Sequence, residues 1–183
     1  MVLLEGVPFI LATPSEEGIS LEVEETGDTF EENVVLKARA FALASGLLSI
    51  ADDSGLEVDA LGGEPGVLSA RYAGPEASDG DRVRYLLSKL EGVALDSRGA
   101  RFRSVIAVAA PEGTIELFEG TCEGVIAINP KGEGGFGYDP IFYLPFLGKL
   151  MAELSMEEKN SISHRGGAAR KAAAYLNRVA VSW

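Results

Sequence analysis

Asp52 and Asp53 stand side by side where a short apolar run, Leu47, Leu48, Ile50 and Ala51, gives way to Ser54 and Gly55. The run reads as a buried strand and Ser-Gly as the turn that ends it. Side chains alternate across a strand, so the two acids should point to opposite sides, one into a cleft and the other tied down behind it. Two carboxylates at the tip of a buried strand are costly unless something binds them, and a divalent cation would do so.

A second stretch runs Gly132-Glu133-Gly134-Gly135-Phe136-Gly137-Tyr138-Asp139-Pro140. Glycines let backbone approach a ligand, and Phe136 and Tyr138 offer flat faces for a planar ring. No Gly-Lys-Ser/Thr follows, so this is not a P-loop. Asp139 can either bond a base edge or open the next strand, expected at residues 141–144. A third group lies further on: Lys159, then Ser163-His164-Arg165 at a helix start, where backbone amides favour anions and Arg165 adds a forked donor. His164 is the one histidine of the chain, and with no serine elbow a Ser-His-Asp hydrolase is excluded.

The elements that must position these groups follow from pattern. Residues 2–4 read as the frayed end of a helix stopped by Gly6 and Pro8, and residues 9–12 and 19–23 as short strands. Thr29 with Glu32 forms a capping-box pattern, so a helix starts at Phe30, carries Phe30, Val34 and Phe41 on one face and ends near Gly46. Glu32 fits two roles equally, capping its own helix or facing the cleft. Lys37, on the same helix, reads as a solvated lysine. Residues 56–60 alternate as a half-exposed strand, and Ser78 caps a helix with Val83, Leu86, Leu87 and Leu90 as its stripe. Residues 101–109 and 114–119 form a hairpin about Pro111-Glu112-Gly113, with a further strand at 125–128. Ser155 with Glu158 is another capping box, and Ser163 caps the last helix.

The chain of 183 residues is expected to form a single domain, 1–183, that removes roughly 70% of its unfolded surface from water. It is 46% hydrophobic and 24% charged, the composition of an ordinary soluble protein. No run approaches the ~18 apolar residues of a membrane span, and no membrane partner is expected. Cys122 is the one cysteine, which excludes an internal disulfide and fits a reducing cytoplasm. The formal charge of −12 argues against a nucleic-acid polymer as partner. A small phosphorylated ligand stays compatible, because a bound cation inverts the local charge. An acidic strand end, a ring platform and a Lys/His/Arg group together suit metal-assisted hydrolysis of a nucleotide phosphate in an α/β domain.

Five ordered motifs sharpen this. Glu25-Thr26-Gly27-Asp28-Thr29-Phe30-Glu31-Glu32-Asn33, Ala51-Asp52-Asp53-Ser54-Gly55, Ser69-Ala70-Arg71-Tyr72, Gly134-Gly135-Phe136-Gly137-Tyr138-Asp139-Pro140, and Glu158-Lys159-Asn160 with Ser163-His164-Arg165-Gly166 resemble, in sequence and order, those of the inosine triphosphate pyrophosphatase family. The resemblance runs from about Val7 to the C-terminus. It implies an elongated α/β fold with a mixed sheet flanked by helices and two lobes around a central cleft. It further implies a homodimer and Mg²⁺-dependent hydrolysis of the non-standard purine nucleoside triphosphates ITP, dITP and XTP to monophosphate and pyrophosphate. On that resemblance Asp53 would accept the proton of the attacking water and bind metal, with Glu32 as the second Mg²⁺ ligand. Ser54 would contact substrate, Phe136, Gly137, Tyr138 and Asp139 would form the base-side loop with Phe136 stacking on the purine, and Lys159, His164 and Arg165 would complete the site near the 6-oxo edge. One departure stands out. The family's Ser/Thr-x-Asn-x-x-Lys phosphate loop has no counterpart, since residues 1–36 hold nine acids and no Lys or Arg. The expectation is either a reading frame that opens upstream of Met1 or a weakened, non-catalytic nucleotide-binding relative. Two lost charged hydrogen bonds would be worth roughly 3–6 kcal/mol.

Overall fold

The computed structural model describes residues 2–132 and 134–180. Glu133, which figures in the glycine-aromatic stretch, lies outside the described residues. Among the described residues four helices, α1 (Phe30–Ser45), α2 (Asp79–Lys89), α3 (Met156–Ile162) and α4 (His164–Val179), accompany five strands, β1 (Ser49–Val58), β2 (Gly99–Ala109), β3 (Ile115–Ile126), β4 (Phe142–Leu144) and β5 (Lys149–Leu150). The strands form one sheet in the order β1-β2-β3-β4-β5. The α/β expectation, a sheet flanked by helices, holds. The sheet is antiparallel where the resemblance implied a mixed one. Strands consecutive in the chain lie side by side, and β2 returns directly as β3 through a turn closed by Ala110 N–H on Thr114 O at 2.9 Å and Gly113 N–H on Ala110 O at 3.0 Å.

The chain forms two compact units. The first draws on Met1–Asp53, Ser104–Gly120 and Arg165–Trp183 and the second on Ser54–Arg103 and Thr121–His164, in each case as far as the residues are described. The long strands contribute to both. In the first unit every residue of β2 from Ser104 to Ala109 is buried. Ile106 and Val108, alternate residues on one face, pack against Ala168, Ala169, Ala172 and Leu176 of α4. In the second unit β2 alternates: Ala100 and Phe102 enter the core with Leu56, Val58, Leu86, Leu90 and Phe142, while Arg101 and Arg103 stay outside. There Arg101 reaches Asp59 at 2.9 Å and Arg103 reaches Glu57 at 3.2 Å.

The caps predicted at Thr29, Ser78 and Ser155 form. Thr29 accepts Glu32 N–H at 3.1 Å, and Gly46 closes α1 in the left-handed region at φ 70°. Ser78 with Asp81, and Ser155 with Glu158, form reciprocal capping boxes. Residues 2–4 form a single 3₁₀ turn.

Four expectations are corrected. Ser54-Gly55 is no turn: β1 runs unbroken from Ser49 to Val58, because Gly55 takes no positive φ and stays extended. Residues 114–119 and 125–128 belong largely to one long strand, Ile115–Ile126, which the glycines do not interrupt. Gly124 is there for space, since a Cβ would lie 2.6 Å from the Phe142 ring. Residues 9–12 and 19–23 form no strand. Ile10 is fully exposed, and the chain from Thr13 to Ile19 is occupied by local turns such as Ile19 N–H on Pro14 O at 2.8 Å. A strand needs a neighbour, and these segments pair with none.

Candidate active site

In the first unit the chain enters α1 through a close fit. A Cβ on Gly27 would lie 2.5 Å from Glu32 Cβ. Gly27 N–H donates to the buried Asn33 Oδ1 at 2.8 Å, and Glu32 Oε2 accepts Asp28 N–H at 2.8 Å. Glu32 thus serves its own helix start, while its side chain stays exposed.

Two turns into α1, Lys37 is not the solvated lysine its position suggested. Its Nζ donates to Glu25 Oε1 at 3.0 Å, Asp52 O at 2.8 Å and Asp53 Oδ1 at 3.2 Å, which uses all the donors of an ammonium. The adjacent acids separate as strand alternation requires. The exposed Asp52 takes Arg165 Nε on Oδ2 at 3.0 Å, so Arg165 sits on Asp52 and holds it. The Asp53 side chain is 14% exposed, and its Oδ2 is buried and accepts no hydrogen bond from the described residues. Burial pushes the Asp53 carboxyl above the usual carboxylate range against the pull of Lys37, with the charges of Glu25 and Asp52 adding to the rise. A buried carboxylate with one oxygen anchored and the other open, and with raised proton affinity, is equipped to take a proton. The open oxygen equally suits a cation.

In the second unit the glycine-aromatic loop is held at each residue from Phe136 to Asp139. Asp139, 2% exposed, accepts Phe136 N–H on Oδ2 at 2.8 Å and pairs with Lys159 of α3. Gly137 N–H goes to Asp79 Oδ2 at 2.7 Å. Tyr138 is part of the core, and its hydroxyl donates to Ser69 O at 3.0 Å. That burial lifts its phenol to about 12 and removes it as a ring platform, which corrects the pairing of Phe136 and Tyr138 as two open faces. Phe136 is exposed, at 58%, with Lys159 Nζ 4.2 Å from its ring centroid. Asp139 opens a 3₁₀ turn that leads into β4. His164, 6% exposed, stacks on Phe102 with centroids 4.9 Å apart. Ser54 lies half-buried on β1.

The pattern missed Lys37, Glu25 and Asp79. Lys37 carried one signal, as the first basic residue after nine acids. Glu25 opened a motif without a role, and Asp79 carried no signal of its own. Among the described residues no group of three or more His, Cys, Asp or Glu side chains is placed to hold a metal ion, and no helix is long and apolar enough to cross a membrane.

An antiparallel five-stranded α/β fold carrying these motifs defines a class of protein: the chain belongs to the Ham1 family, which matches it over residues 4–175. It is 60% identical over 158 residues to a protein of Desulforamulus reducens named dITP/XTP pyrophosphatase, covering 86% of this chain and 79% of that one. Among solved structures it is similar to the Staphylococcus aureus Ham1 protein, at 52% identity and a TM-score of 0.82, covering 85% of this chain and 80% of that one. A HAM1 protein from Coxiella burnetii matches at 42% identity and a TM-score of 0.91, covering 97% and 90%.

Proposed function

We propose that this protein hydrolyses non-standard purine nucleoside triphosphates, dITP, XTP and ITP, to the monophosphate and pyrophosphate, and so cleanses the nucleotide pool. The observation that carries this is Asp53: a buried carboxylate with an open oxygen, an anchoring lysine and raised proton affinity. The names borne by its relatives supply the substrate class.

Asp53 accepts the proton of the attacking water, and its raised proton affinity makes that transfer more favourable than for an ordinary carboxylate. Lys37 fixes the Asp53 carboxylate, and Arg165 keeps Asp52 turned away from it. Glu32 and Asp53 are the residues that would hold Mg²⁺, which characteristically takes one or two carboxylates and completes its shell with water and phosphate oxygens. When bound, that ion supplies charge neutralisation at the phosphates. Ser54, beside the catalytic acid, contacts the substrate. Phe136 offers its open ring to the purine, with Gly137, Tyr138 and Asp139 shaping the loop that carries it. Lys159, His164 and Arg165 favour a 6-oxo group over a 6-amino group, because an amine meeting donors leaves polar groups unpaired. The same reading takes the protein as a cytoplasmic homodimer, for which sedimentation gives the oligomeric state.

Pyrophosphate release from dITP, XTP, ITP and dATP, with and without Mg²⁺, tests this. Turnover of the first three that requires Mg²⁺ and fails in Asp53→Asn is expected. Nucleotide binding without turnover would instead favour the non-catalytic alternative.

A further inference from the structure

Resting on the reading of the 136–139 loop as the purine platform, we propose that Asp79 is a positioning residue for that platform, acting through the Gly137 amide. Asp79 is the first residue of α2, distant in sequence from the loop. An acid at a helix start ordinarily serves the free N–H groups and positive end of its own helix. Here the Ser78–Asp81 capping box already does so. Asp79 turns elsewhere: its Oδ2 accepts Gly137 N–H at 2.7 Å, and its Oδ1 takes the Arg82 guanidinium. Arg82 is itself fixed, donating to Ala70 O at 2.9 Å and Ala77 O at 2.6 Å. The Gly137 bond is also the main reason the Asp79 carboxyl lies below the usual range.

The consequence is local to Phe136. Its own N–H goes to Asp139, and the N–H of the next peptide goes to Asp79, so both peptide planes flanking its Cα are held by carboxylates. Asp139 belongs to the loop, whereas Asp79 is an anchor on another element. A Cβ at Gly137 would have nothing within 4 Å, so that side of the residue faces open space, and the Asp79 bond ties its amide to α2. Freed of it, the ring-bearing peptide gains conformations, and substrate binding must order them again.

The test uses the full chain and the steady-state kinetics of dITP hydrolysis in Asp79→Ala, Asp79→Asn, Arg82→Gln and Phe136→Ala. Asp79→Ala is expected to raise KM about tenfold, with kcat falling by a smaller factor. Asp79→Asn keeps an oxygen that accepts Gly137 N–H and should recover most of the loss, which a merely structural or electrostatic role for the acid would not allow. Arg82→Gln leaves Asp79 unsupported and should raise KM by a smaller factor, which keeps the proposal testable if Asp79→Ala fails to fold. KM within twofold of the parent in Asp79→Ala or, where that variant does not fold, in Arg82→Gln would overturn the proposal, as would an Asp79→Asn no better than Asp79→Ala. If Phe136→Ala leaves KM unchanged, the platform reading itself fails. If Phe136→Ala raises KM and the Asp79 and Arg82 variants do not, only the positioning role fails.

Discussion

Asp53, half-buried, and Asp139, buried, are both paired with a lysine, yet they are finished differently. Asp139 gathers a loop N–H and a lysine and thereby closes the loop that presents Phe136. Asp53 has one oxygen on Lys37 and the other buried with no partner. A protein selected only for stability would not leave that oxygen open, because a buried polar atom without a partner is worth about 1–3 kcal/mol of lost stability. On the function proposed here, the satisfied aspartate builds the site and the unsatisfied one meets a reactant.

The largest expected effect separates the two roles directly. Asp53→Asn should lower kcat by about 10³-fold, within the range general-base catalysis supplies, as read by pyrophosphate release. The same variant should melt at a higher temperature than the parent at pH 7. The folded state binds the Asp53 proton more tightly than the unfolded state does, so this residue's contribution to stability is greatest below the ordinary carboxylate pKa. It is lost as pH rises through the raised value, and asparagine escapes that loss. A lower melting temperature would place Asp53 in the structural class with Asp139. Asp139→Ala should do the opposite, losing about 3 kcal/mol in urea denaturation by leaving Lys159 without its carboxylate. Unchanged stability there would erase the comparison from the other side. Next in size, Phe136→Ala should raise KM about tenfold through lost ring contact, with little change in urea midpoint. The smallest effect is a pH shift. The acid limb of kcat/KM should stand above the ordinary carboxylate range, because activity falls as Asp53 gains its proton. Lys37→Met removes the charge that favours the carboxylate, so the limb should move to higher pH. A downward shift would show that Lys37 does not govern Asp53.

Much of this arrangement is legible in the chain. Caps are local chemistry, and Thr29, Ser78 and Ser155 each bond the residue their spacing predicts. The opposite dispositions of Asp52 and Asp53 follow from the two-residue period of a strand. Contacts between distant segments are harder to foresee. Nothing near Lys37 indicates that Glu25 and the end of an apolar run will converge on it, so a lysine on a helix reads as solvated. Tyr138 and Phe136 have the same spacing from glycine, yet one ring is core and the other exposed; residues far away in sequence, such as Leu56 in the core and Ser69 at the hydroxyl, receive the first. Ser54-Gly55 misled because glycine permits a turn without requiring one. Residues 9–12 misled because apolar character shows a liking for strand but not a neighbour to pair with.

The loop also bears on how this protein can change over generations. Gly135 and Gly137 are both left-handed, at φ 78° and 60°. Around Gly137 there is room, and asparagine, which tolerates that region, could replace it and preserve the amide held by Asp79. At Gly135 a Cβ would fall 2.0 Å from Asp139 Oδ2, on the carboxylate that closes the loop. Drift is therefore open at one glycine and barred at the other, and a lineage that loses Gly135 must abandon the Asp139–Lys159 closure along with it.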